Sequence, residues 1–335
     1  MTAFSNTNSN GENDMTTATI PTTFMGYKAN ADENMTSIRD LVAENDMDYG
    51  VDKVQSTYDW DGVSRKADNE FHLCRSDNGE NLSNQTVTKT YKTLTPNDIA
   101  DDFQWFVDQG YARPFSAFTT STGVETIALL LDPDLFQGIN DFAGFILGQN
   151  RQGQKGAKGQ LFLYRKICAN GMMGWARQAG FSIAHRGNVK QKFTDHTREW
   201  ARMEKTFRDM NQRMTELSGI PMTYEQFAAA TDALHGTRVE GDTIIDVKTH
   251  DKASTRKLNI RDTILEATHM PLMGTHGSTA ADWYNGVTWR LSHLLEGSSR
   301  SQTAQTDSLL NGSGRTEELR ALDILDRFTL TGAVS

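Results

Sequence analysis

The sequence has few of the features that would assign a compartment or a function at once. Only two of its 335 residues are cysteines, Cys74 and Cys168, which excludes a disulfide framework and is typical of a reducing compartment. No apolar run is long enough to span a bilayer. The first 24 residues have no basic segment and no apolar segment, so we expect no secretory signal. With a mean hydropathy of −0.56, we expect a soluble, cytoplasmic protein that does not enter a membrane.

The motifs of common catalytic and metal sites are also missing. A P-loop needs a second glycine five positions after the first, and here Lys158 stands at that distance from Gly153. Cys168 would need a base to act as a nucleophile, and a free cysteine is a common core residue. The eight histidines form no HExxH motif, and His269 with His276 would need two more zinc ligands. We therefore expect no enzyme: no catalytic residue, no cofactor and no metal.

Acidic residues outnumber basic ones, but the two kinds are unevenly distributed. The net charge is −9 overall; it is −11 over residues 1–110, −3 over 111–150, +10 over 151–214 and −5 over 215–335. A local basic segment in an acidic protein is typical of a surface that binds nucleic acid. It is equally typical of a solvated helix face that pairs with acidic parts of the same chain, and the sequence leaves both interpretations open.

The pattern of apolar residues predicts an α+β fold in three parts. Residues 1–30 are rich in Ser, Thr, Asn and Gly, and we expect a disordered or loosely docked arm there. Residues 31–187 are predicted to form an α+β core with a mostly antiparallel sheet. Residues 188–335 are predicted to be helical.

Boundary signals define the elements of the predicted α+β core. A helix is expected over residues 35–45, and a second one has Thr95 as its N-cap, Pro96 in its first turn and Gly110 at its end. Strand-turn-strand units are expected to turn at residues 76–80, at residues 120–123 and at the Gly/Lys-rich segment after residue 150, and a short strand is expected at residues 180–185.

The C-terminal part begins with the strongest helical pattern of the chain. Apolar residues from Val189 to Leu217 follow heptad-like spacings, interrupted by the polar His196, and predict one long helix over 188–219. Intramolecular packing explains most such seams; a coiled-coil partner or a homo-oligomer is the alternative. Further helices are expected at residues 223–236, 278–297 and 315–328, with polar loops at residues 237–277 and 298–314.

The segment RQGQKGAKGQLFLYRKICANGMMGW, from Arg151 to Trp175, opens the basic region. We interpret its glycine- and lysine-rich part as the flexible tip of a β-hairpin, whose lysines contact phosphate groups without a fixed geometry. GQKG and GAKG match the GXXG of a KH loop, but that loop joins two helices and this segment is predicted to join two strands. A tip that only improves solubility is the alternative. Asn170 and Gly171 predict a tight backbone turn.

Basic and aromatic residues of this segment and of the following helix are the candidate nucleic-acid contacts. The basic side chains are expected to hold the phosphate backbone, and Tyr164 or Trp175 to stack against bases. Arg165 and Lys166 are adjacent on a predicted strand, so they cannot share one face. The full candidate set is Arg151, Lys155, Lys158, Tyr164, Arg165, Lys166, Trp175, Arg186, Lys190, Lys192, Arg198 and Arg202.

At YRKICANGM the chain resembles the phage/plasmid-like protein family, a domain of unknown function carried by bacteriophages and mobile elements. Arg165, Cys168 and Asn170 fill places of the family's conserved stretch, and FSIAHRGN supplies a matching histidine, His185. ETIALLLD, WYNGVTWRLSH and LLNGSGRTEELRALDIL resemble further family segments in the same order, so the likeness covers roughly residues 35–328. The resemblance implies a phage origin and a cytoplasmic setting, with no known reaction.

Together these features favour a phage-encoded, non-enzymatic protein of DNA metabolism that binds single-stranded DNA. The predicted sheet, basic hairpin and long helix are similar in outline to single-strand annealing proteins of recombination systems. We expect it in the cytoplasm of the infected host cell, with a virion location left open. The alternative is a phage structural protein, or an inhibitor of a host factor, that binds no nucleic acid.

Overall fold

A computed structural model gives the structure of the chain. It describes residues 23–24, 27–120, 122–132, 142–154, 156–165, 170–172, 180–199, 205, 209, 212–269, 277–292, 304, 308 and 312–331.

The described part of the chain contains helices and antiparallel sheets, which confirms the predicted α+β class. The strands are β1 (Thr23–Phe24), β2 (Tyr27–Lys28), β3 (Val51–Trp60), β4 (Val63–Arg75), β5 (Ala112–Thr119), β6 (Glu125–Leu131), β7 (Phe142–Asn150), β8 (Ala157–Arg165), β9 (Asn170–Met172), β10 (Phe181–Ile183), β11 (Thr237–Glu240) and β12 (Thr243–Asp246). The helices are α1 (Ile38–Glu44), α2 (Pro96–Asp108), α3 (Val189–Thr197), α4 (Tyr224–His235), α5 (Thr255–Thr268), α6 (Ala280–Ser292) and α7 (Ser313–Thr331).

The central sheet has six strands and is antiparallel throughout. Strands β5, β6, β7 and β8 follow one another in the chain and in the sheet, so two successive hairpins build most of it. Both β10 and β9 pair with β8: β10 pairs with residues 157–159 and β9 with residues 163–165. The hairpins that turn at residues 120–123 and after residue 150, and the short strand β10, confirm the sequence prediction. The strand-turn-strand unit predicted at residues 76–80 did not form as expected.

Helix α2 covers one face of this sheet and packs against β5, β6 and β7. It begins as predicted, with a capping box in which Thr95 and Asp98 bond each other's backbone N–H. Its apolar stripe approaches β7 closely at Gly148, where a Cβ would lie 2.5 Å from Cγ2 of Ile99 and 2.9 Å from the ring of Phe103. A residue without a side chain is therefore required where α2 crosses β7.

The C-terminal helices share the hydrophobic core of the sheet rather than forming a separate one. They also hold one another through buried polar groups. Nε1 of Trp283 on α6 donates to Oγ1 of Thr231 on α4 at 2.9 Å. The hydroxyl of Tyr284 donates to Oε1 of Glu318 on α7 at 2.7 Å. These bonds fix the packing of α4, α6 and α7, and α6 also contacts β9.

The strands β3 and β4 form a long hairpin that the sequence analysis did not predict. It turns at Asp61 and Gly62, which have φ of 54° and 73°. Two paired strands were expected on either side of the turn at residues 76–80. Instead, β4 ends at Arg75, and the chain after the turn pairs with β4 only at isolated bridges. The main partner of β4 is β3, because the longer hairpin offers more backbone hydrogen bonds.

The helix predicted over residues 188–219 is wrong as a single continuous element. Helix α3 ends at Thr197, between Phe193 and Trp200, where the apolar spacing widens from four residues to seven. Residues 212–218 are helical again, while 200–204, 206–208 and 210–211 lie outside the described residues.

The polar loop predicted over residues 237–277 is also wrong, since it contains β11, β12 and α5. The sequence of α5 has little amphipathic pattern, but Ser254 caps it and Ile264 and Leu265 are buried. Helix formation here follows from a good cap and tertiary packing rather than from a visible apolar stripe.

The end of the predicted N-terminal arm is docked on the sheet. The side chain of Asn30 bonds both the carbonyl and the N–H of Ala117 on β5, at 2.8 Å and 3.0 Å, and β1 pairs with β2. Residues 1–22 lie outside the described residues, so most of the predicted arm is not described. Within the described ranges, no helix is both long and apolar enough to cross a membrane.

Candidate functional site

A cleft of about 770 Å³ lies at the turn end of the β7–β8 hairpin. Its walls come from three parts of the chain: the loop at residues 85–91, the hairpin turn at residues 149–156, and the end of β10 with the residues up to 186. Lys158 on β8 also lines it. The antiparallel pairing of β7, β8 and β10 brings the hairpin turn and the end of β10 together. The loop at residues 85–91 packs against the turn, where Tyr91 bonds Gly153.

A row of polar residues crosses four strands and supplies part of one cleft wall through Gln149, Lys158 and Ser182. Thr126 pairs with Gln149, Gln149 with Lys158, and Lys158 with Ser182. Because side chains alternate along a strand, this row lies on the sheet face opposite to α2, which packs on the adjacent Gly148. Lys158 thus lies among polar neighbours at the centre of the cleft wall.

The amide of Gln149 in this wall is fixed by a directional chain of hydrogen bonds that includes Gln160 and Arg315. Nη1 of Arg315 donates to Oε1 of Gln160 at 2.6 Å, and Nε2 of Gln160 donates to Oε1 of Gln149 at 2.6 Å. Nε2 of Gln149 then donates to Oγ1 of Thr126 at 3.2 Å. Burial, and to a smaller extent the positive charge of Arg315, lower the pKa of Lys158. Lys158 in the wall and Arg315 are therefore close enough for their charges to repel each other.

Two arginines lie at the edges of the cleft. Arg151 is half-buried and Arg186 is exposed, and both line the cavity. Within the described part of the chain, neither guanidinium has a carboxylate oxygen within 4.0 Å. Together with Lys158, they supply a concentration of positive charge that an anion would neutralise.

The hairpin turn is packed against its surroundings, which corrects the expectation of a flexible tip. Gly153 has φ of 76°, and a Cβ there would lie 2.1 Å from Oγ of Ser83. Its N–H donates to the hydroxyl of Tyr91 at 3.0 Å. Gly156 has φ of 153°, and a Cβ there would lie 2.4 Å from the carbonyl oxygen of Ile183. The two glycines let the turn fold onto the neighbouring loop and β10.

The rings of Tyr91 and His185 stack beside this turn, with centroids 4.6 Å apart. His185 is 3% exposed, and its Nδ1 lies 2.8 Å from the carbonyl oxygen of Lys92. Since a carbonyl only accepts, Nδ1 carries the proton and Nε2 is an acceptor. Burial lowers the pKa of His185, so the ring is neutral at neutral pH. Nε2 has no hydrogen-bond partner within the described part of the chain.

A buried carboxyl lies behind the cleft. Glu125 is 2% exposed and accepts hydrogen bonds from the hydroxyl of Tyr49 at 2.6 Å, from Nδ2 of Asn150 at 2.8 Å and from Nε2 of Gln152 at 3.2 Å. Burial raises the pKa of Glu125 to about 7, although these three donors oppose the shift. Protonated and charged forms of this group are therefore close in free energy at neutral pH.

Asn150 connects this buried carboxyl to the cleft. Its Nδ2 donates to the carbonyl oxygen of Leu94 at 2.7 Å and to Oε2 of Glu125 at 2.8 Å. Both hydrogens of the amide are thereby used, and Oδ1 has no partner among the residues that the structure describes. Asn150 lines the cleft and is 1% exposed.

Three of the predicted nucleic-acid contacts converge on this cleft: Arg151, Lys158 and Arg186. A second depression of about 480 Å³ begins at the next residue, Gly187, and is lined by Lys92 and by the predicted contact Lys190. The basic residues thus follow a continuous stretch of chain from the cleft onto the start of α3.

The predicted contacts on α3 face acidic residues of α2. Nζ of Lys190 lies 2.5 Å from Oδ1 of Asp98. Arg198 lowers the pKa of Asp102 by its charge, although burial raises it more. Lys192 instead reaches back to the carbonyl oxygen of Arg186 at 3.4 Å. The end of the basic segment on α3 therefore pairs with an acidic group of the same chain through Lys190, as the second sequence interpretation predicted for such a segment.

Several predicted site residues cannot be placed. The residues Lys155, Lys166, Cys168, Trp175, Arg202 and His276 lie outside the described residues, as do the side chains of Tyr164 and Arg165 on β8. The predicted turn at Asn170 and Gly171 is wrong, because both belong to β9 and pair with β8. Backbone pairing extends the sheet through them.

No group of three or more histidine, cysteine, aspartate or glutamate residues in the described ranges could hold a metal ion. His269, considered for zinc in the sequence analysis, bonds the carbonyl oxygen of Leu265 through Nδ1 at 2.9 Å. Its ring lies edge-on to Phe227. These contacts explain the residue as part of the helix packing.

The residues that sequence reasoning missed are those that act across long sequence distances. Tyr91 and Asn150 carry no motif, and Gln149 and Gln160 are ordinary strand residues. Arg315 is 155 positions from the glutamine that it bonds. Only the basic residues of the site could be predicted from the sequence, because residues 151–214 carry a local net charge of +10.

The family model described as "Domain of unknown function (DUF932)" matches residues 83–312. The match spans about two thirds of the chain and contains every residue that lines the cleft. The chain therefore belongs to the DUF932 family, which confirms the predicted membership of an uncharacterised family. No curated protein and no solved structure matches the chain.

Proposed function

We propose that this protein binds single-stranded nucleic acid, DNA in particular, with its phosphate backbone along the cleft. The observation that carries the proposal is the convergence of Arg151, Lys158 and Arg186 on one cavity. These residues come from the hairpin turn, from β8 and from the segment after β10. Basic side chains that cluster on one surface supply the sequence-independent part of nucleic-acid affinity by releasing counterions.

The path of the strand beyond the cleft is proposed to follow the second depression. Lys92 and Lys190 line it, and it begins one residue after Arg186. Lys190 is bonded to Asp98, so it would have to exchange a carboxylate for a phosphate. We therefore expect the main contacts in the cleft and weaker ones in the second depression.

The narrower proposal is a role in phage DNA metabolism, such as annealing single strands during recombination in the infected cell's cytoplasm. Its support is the resemblance to phage-borne proteins together with an antiparallel sheet and a basic hairpin in one fold. In this role the protein is a binding protein rather than an enzyme. Annealing proteins act as oligomers, so the narrower proposal includes self-association.

One observation favours the alternative, a structural or host-interaction protein. The β3–β4 hairpin exposes large apolar side chains near its turn: Tyr58, Trp60 and Val63 are 51%, 65% and 56% exposed. Exposed apolar clusters mark surfaces that contact other proteins. Such a surface also fits self-association, so it is compatible with both functions.

The proposal is tested by fluorescence anisotropy with a labelled mixed-sequence 20-mer of single-stranded DNA at low salt. Replacing Arg151 and Arg186 by alanine removes two cleft charges, and we expect at least tenfold weaker binding. The matched control replaces two exposed arginines outside the cleft, Arg65 and Arg256, which changes the net charge equally. Equal affinity of both double variants would contradict the proposed site, and no binding by the wild type would contradict the function.

A further inference from the structure

Two residues that line the cleft each have a buried hydrogen-bond acceptor without a partner among the described residues. The acceptors are Nε2 of His185 and Oδ1 of Asn150; both residues line the cavity and are at least 97% buried. Buried polar atoms in folded proteins nearly always have a hydrogen-bond partner, because an unmade bond is costly. Two unpaired acceptors at one cavity therefore point to a ligand that supplies hydrogen-bond donors.

Neither a flip of the Asn150 amide nor a rotation of the His185 ring would put a donor in place of the unpartnered acceptor. Turning the Asn150 amide would place its oxygen against the carbonyl oxygen of Leu94 and the carboxyl of Glu125. The His185 ring is held by Lys92 at Nδ1 and by stacking on Tyr91. The residues that line the cleft thus include two with fixed, unpartnered acceptors, His185 and Asn150, and the basic residues Arg151, Lys158 and Arg186.

We propose that the cleft seats one base of the bound strand and recognises its exocyclic amino group through His185 and Asn150. This inference rests on the proposed function. A nucleotide combines the two chemistries that the cleft requires, since its phosphate is an anion and its base carries donors. An amino group has two N–H donors on one atom, as in cytosine, adenine and guanine, whereas thymine and uracil offer a single ring N–H.

The size of the cavity agrees with this ligand. A volume of about 770 Å³ lies in the range of sites for small molecules and cofactors. Lys158 in the wall and Arg151 and Arg186 at the edges can hold the phosphates on either side of the seated base. The base then enters edge first, towards His185 and Asn150.

The test compares labelled 12-mers of deoxycytidine and deoxyuridine with the wild-type protein at one salt concentration. The two bases have the same ring size and differ in their hydrogen-bonding edge. We expect about tenfold tighter binding of the cytosine oligomer, as for one hydrogen bond to a buried group. Equal, salt-sensitive binding of both would overturn the inference and leave the proposed function intact. Binding of neither would overturn both.

A second oligomer isolates the amino group without changing the protein. In 2-pyrimidinone deoxyribonucleoside a hydrogen replaces the 4-amino group of cytosine and the ring is otherwise unchanged. We expect its 12-mer to bind as weakly as the deoxyuridine oligomer. Binding as tight as that of cytosine would show that the amino group is not recognised and would overturn the inference.

A protein variant assigns the recognition to His185. His185→Phe keeps a ring next to Tyr91 and removes the acceptor, so cytosine and uracil oligomers should bind equally, at the affinity of uracil for the wild type. Retained discrimination in a folded variant would overturn the role of His185. Calorimetry with monomeric dCMP and dUMP distinguishes a protein that recognises a base within a strand from one that binds a free nucleotide. If dCMP bound more tightly than dUMP while the two oligomers bound equally, recognition within a strand would be overturned.

Discussion

The hydroxyl of Tyr49 donates a 2.6 Å hydrogen bond to Oε1 of Glu125, a carboxyl that is only 2% exposed. Tyr49 precedes β3 and Glu125 begins β6, so the bond joins the long hairpin's base to the central sheet. Asn150 joins the same carboxyl to the cleft. Glu125, a titratable group, therefore links the base of the long hairpin, β6 and the cleft residue Asn150 without itself lining the cleft.

Replacing Glu125 by glutamine should change the pH dependence of stability. Burial raises the pKa of Glu125 from 4.5 to about 7, so the folded state binds this proton more tightly than the unfolded state. The wild type should lose stability as pH rises from about 4.5 through 7, by about 3 kcal/mol at most. Glu125→Gln has no such loss, and urea unfolding at pH 5 and pH 8 measures the difference. The same pH dependence in both proteins would contradict the assignment.

Replacing Gly153 by alanine should disturb the hairpin turn. The positive φ and the Cβ position 2.1 Å from Oγ of Ser83 predict a loss of about 1–3 kcal/mol and weaker DNA binding. Gly62→Ala is the matched control, because Gly62 also has a positive φ but nothing within 4 Å of the added Cβ. Thermal unfolding should show the larger decrease for Gly153→Ala; equal decreases would mean that the packing of the turn contributes nothing.

Replacing Arg315 by alanine should weaken the polar wall of the cleft. Oε1 of Gln160 loses its charged donor, and a buried acceptor without a partner costs about 1–3 kcal/mol. Arg256→Ala, an exposed arginine on α5, should change the free energy of unfolding by no more than about 0.5 kcal/mol. Chemical denaturation of the two variants makes the comparison, and a neutral Arg315→Ala would contradict the role of the hydrogen-bond chain.

Replacing the exposed apolar residues of the β3–β4 hairpin should leave the fold unchanged. Trp60 and Val63 are mostly exposed, so Trp60→Ser with Val63→Thr should alter the free energy of unfolding by no more than about 0.5 kcal/mol. Light scattering of the variant and the wild type then shows whether this surface drives self-association. A large loss of stability would show that the hairpin turn packs against another part of the chain.

The sequence predicted the elements whose signals are local. Thr95 and Pro96 define the start of α2 whatever surrounds them, and short apolar runs bounded by turn residues define β5 to β8. The β3–β4 hairpin was missed although Asp61-Gly62 is a strong turn signal. Its strands are largely exposed and so lack the apolar alternation that identifies a strand.

Only the basic residues of the site could be predicted from the sequence, because the charge of their segment was the only signal. Arg151, Lys158 and Arg186 belong to a segment whose charge differs from the rest of the chain. Tyr91 joins them because the loop at residues 85–91 packs against the hairpin turn, and Asn150, although adjacent to Arg151, is bonded to the distant residues Leu94 and Glu125. No spacing in the sequence records that contact.

The salt dependence of single-stranded DNA binding tests the central claim most directly. With three basic residues in the cleft and two in the second depression, the logarithm of the association constant should fall against the logarithm of salt with a slope of about −2 to −3.5. Replacing Arg151 and Arg186 by alanine should make the slope shallower by about 1.4. A wild-type slope near zero, or an unchanged slope in this variant, would contradict phosphate binding in the cleft.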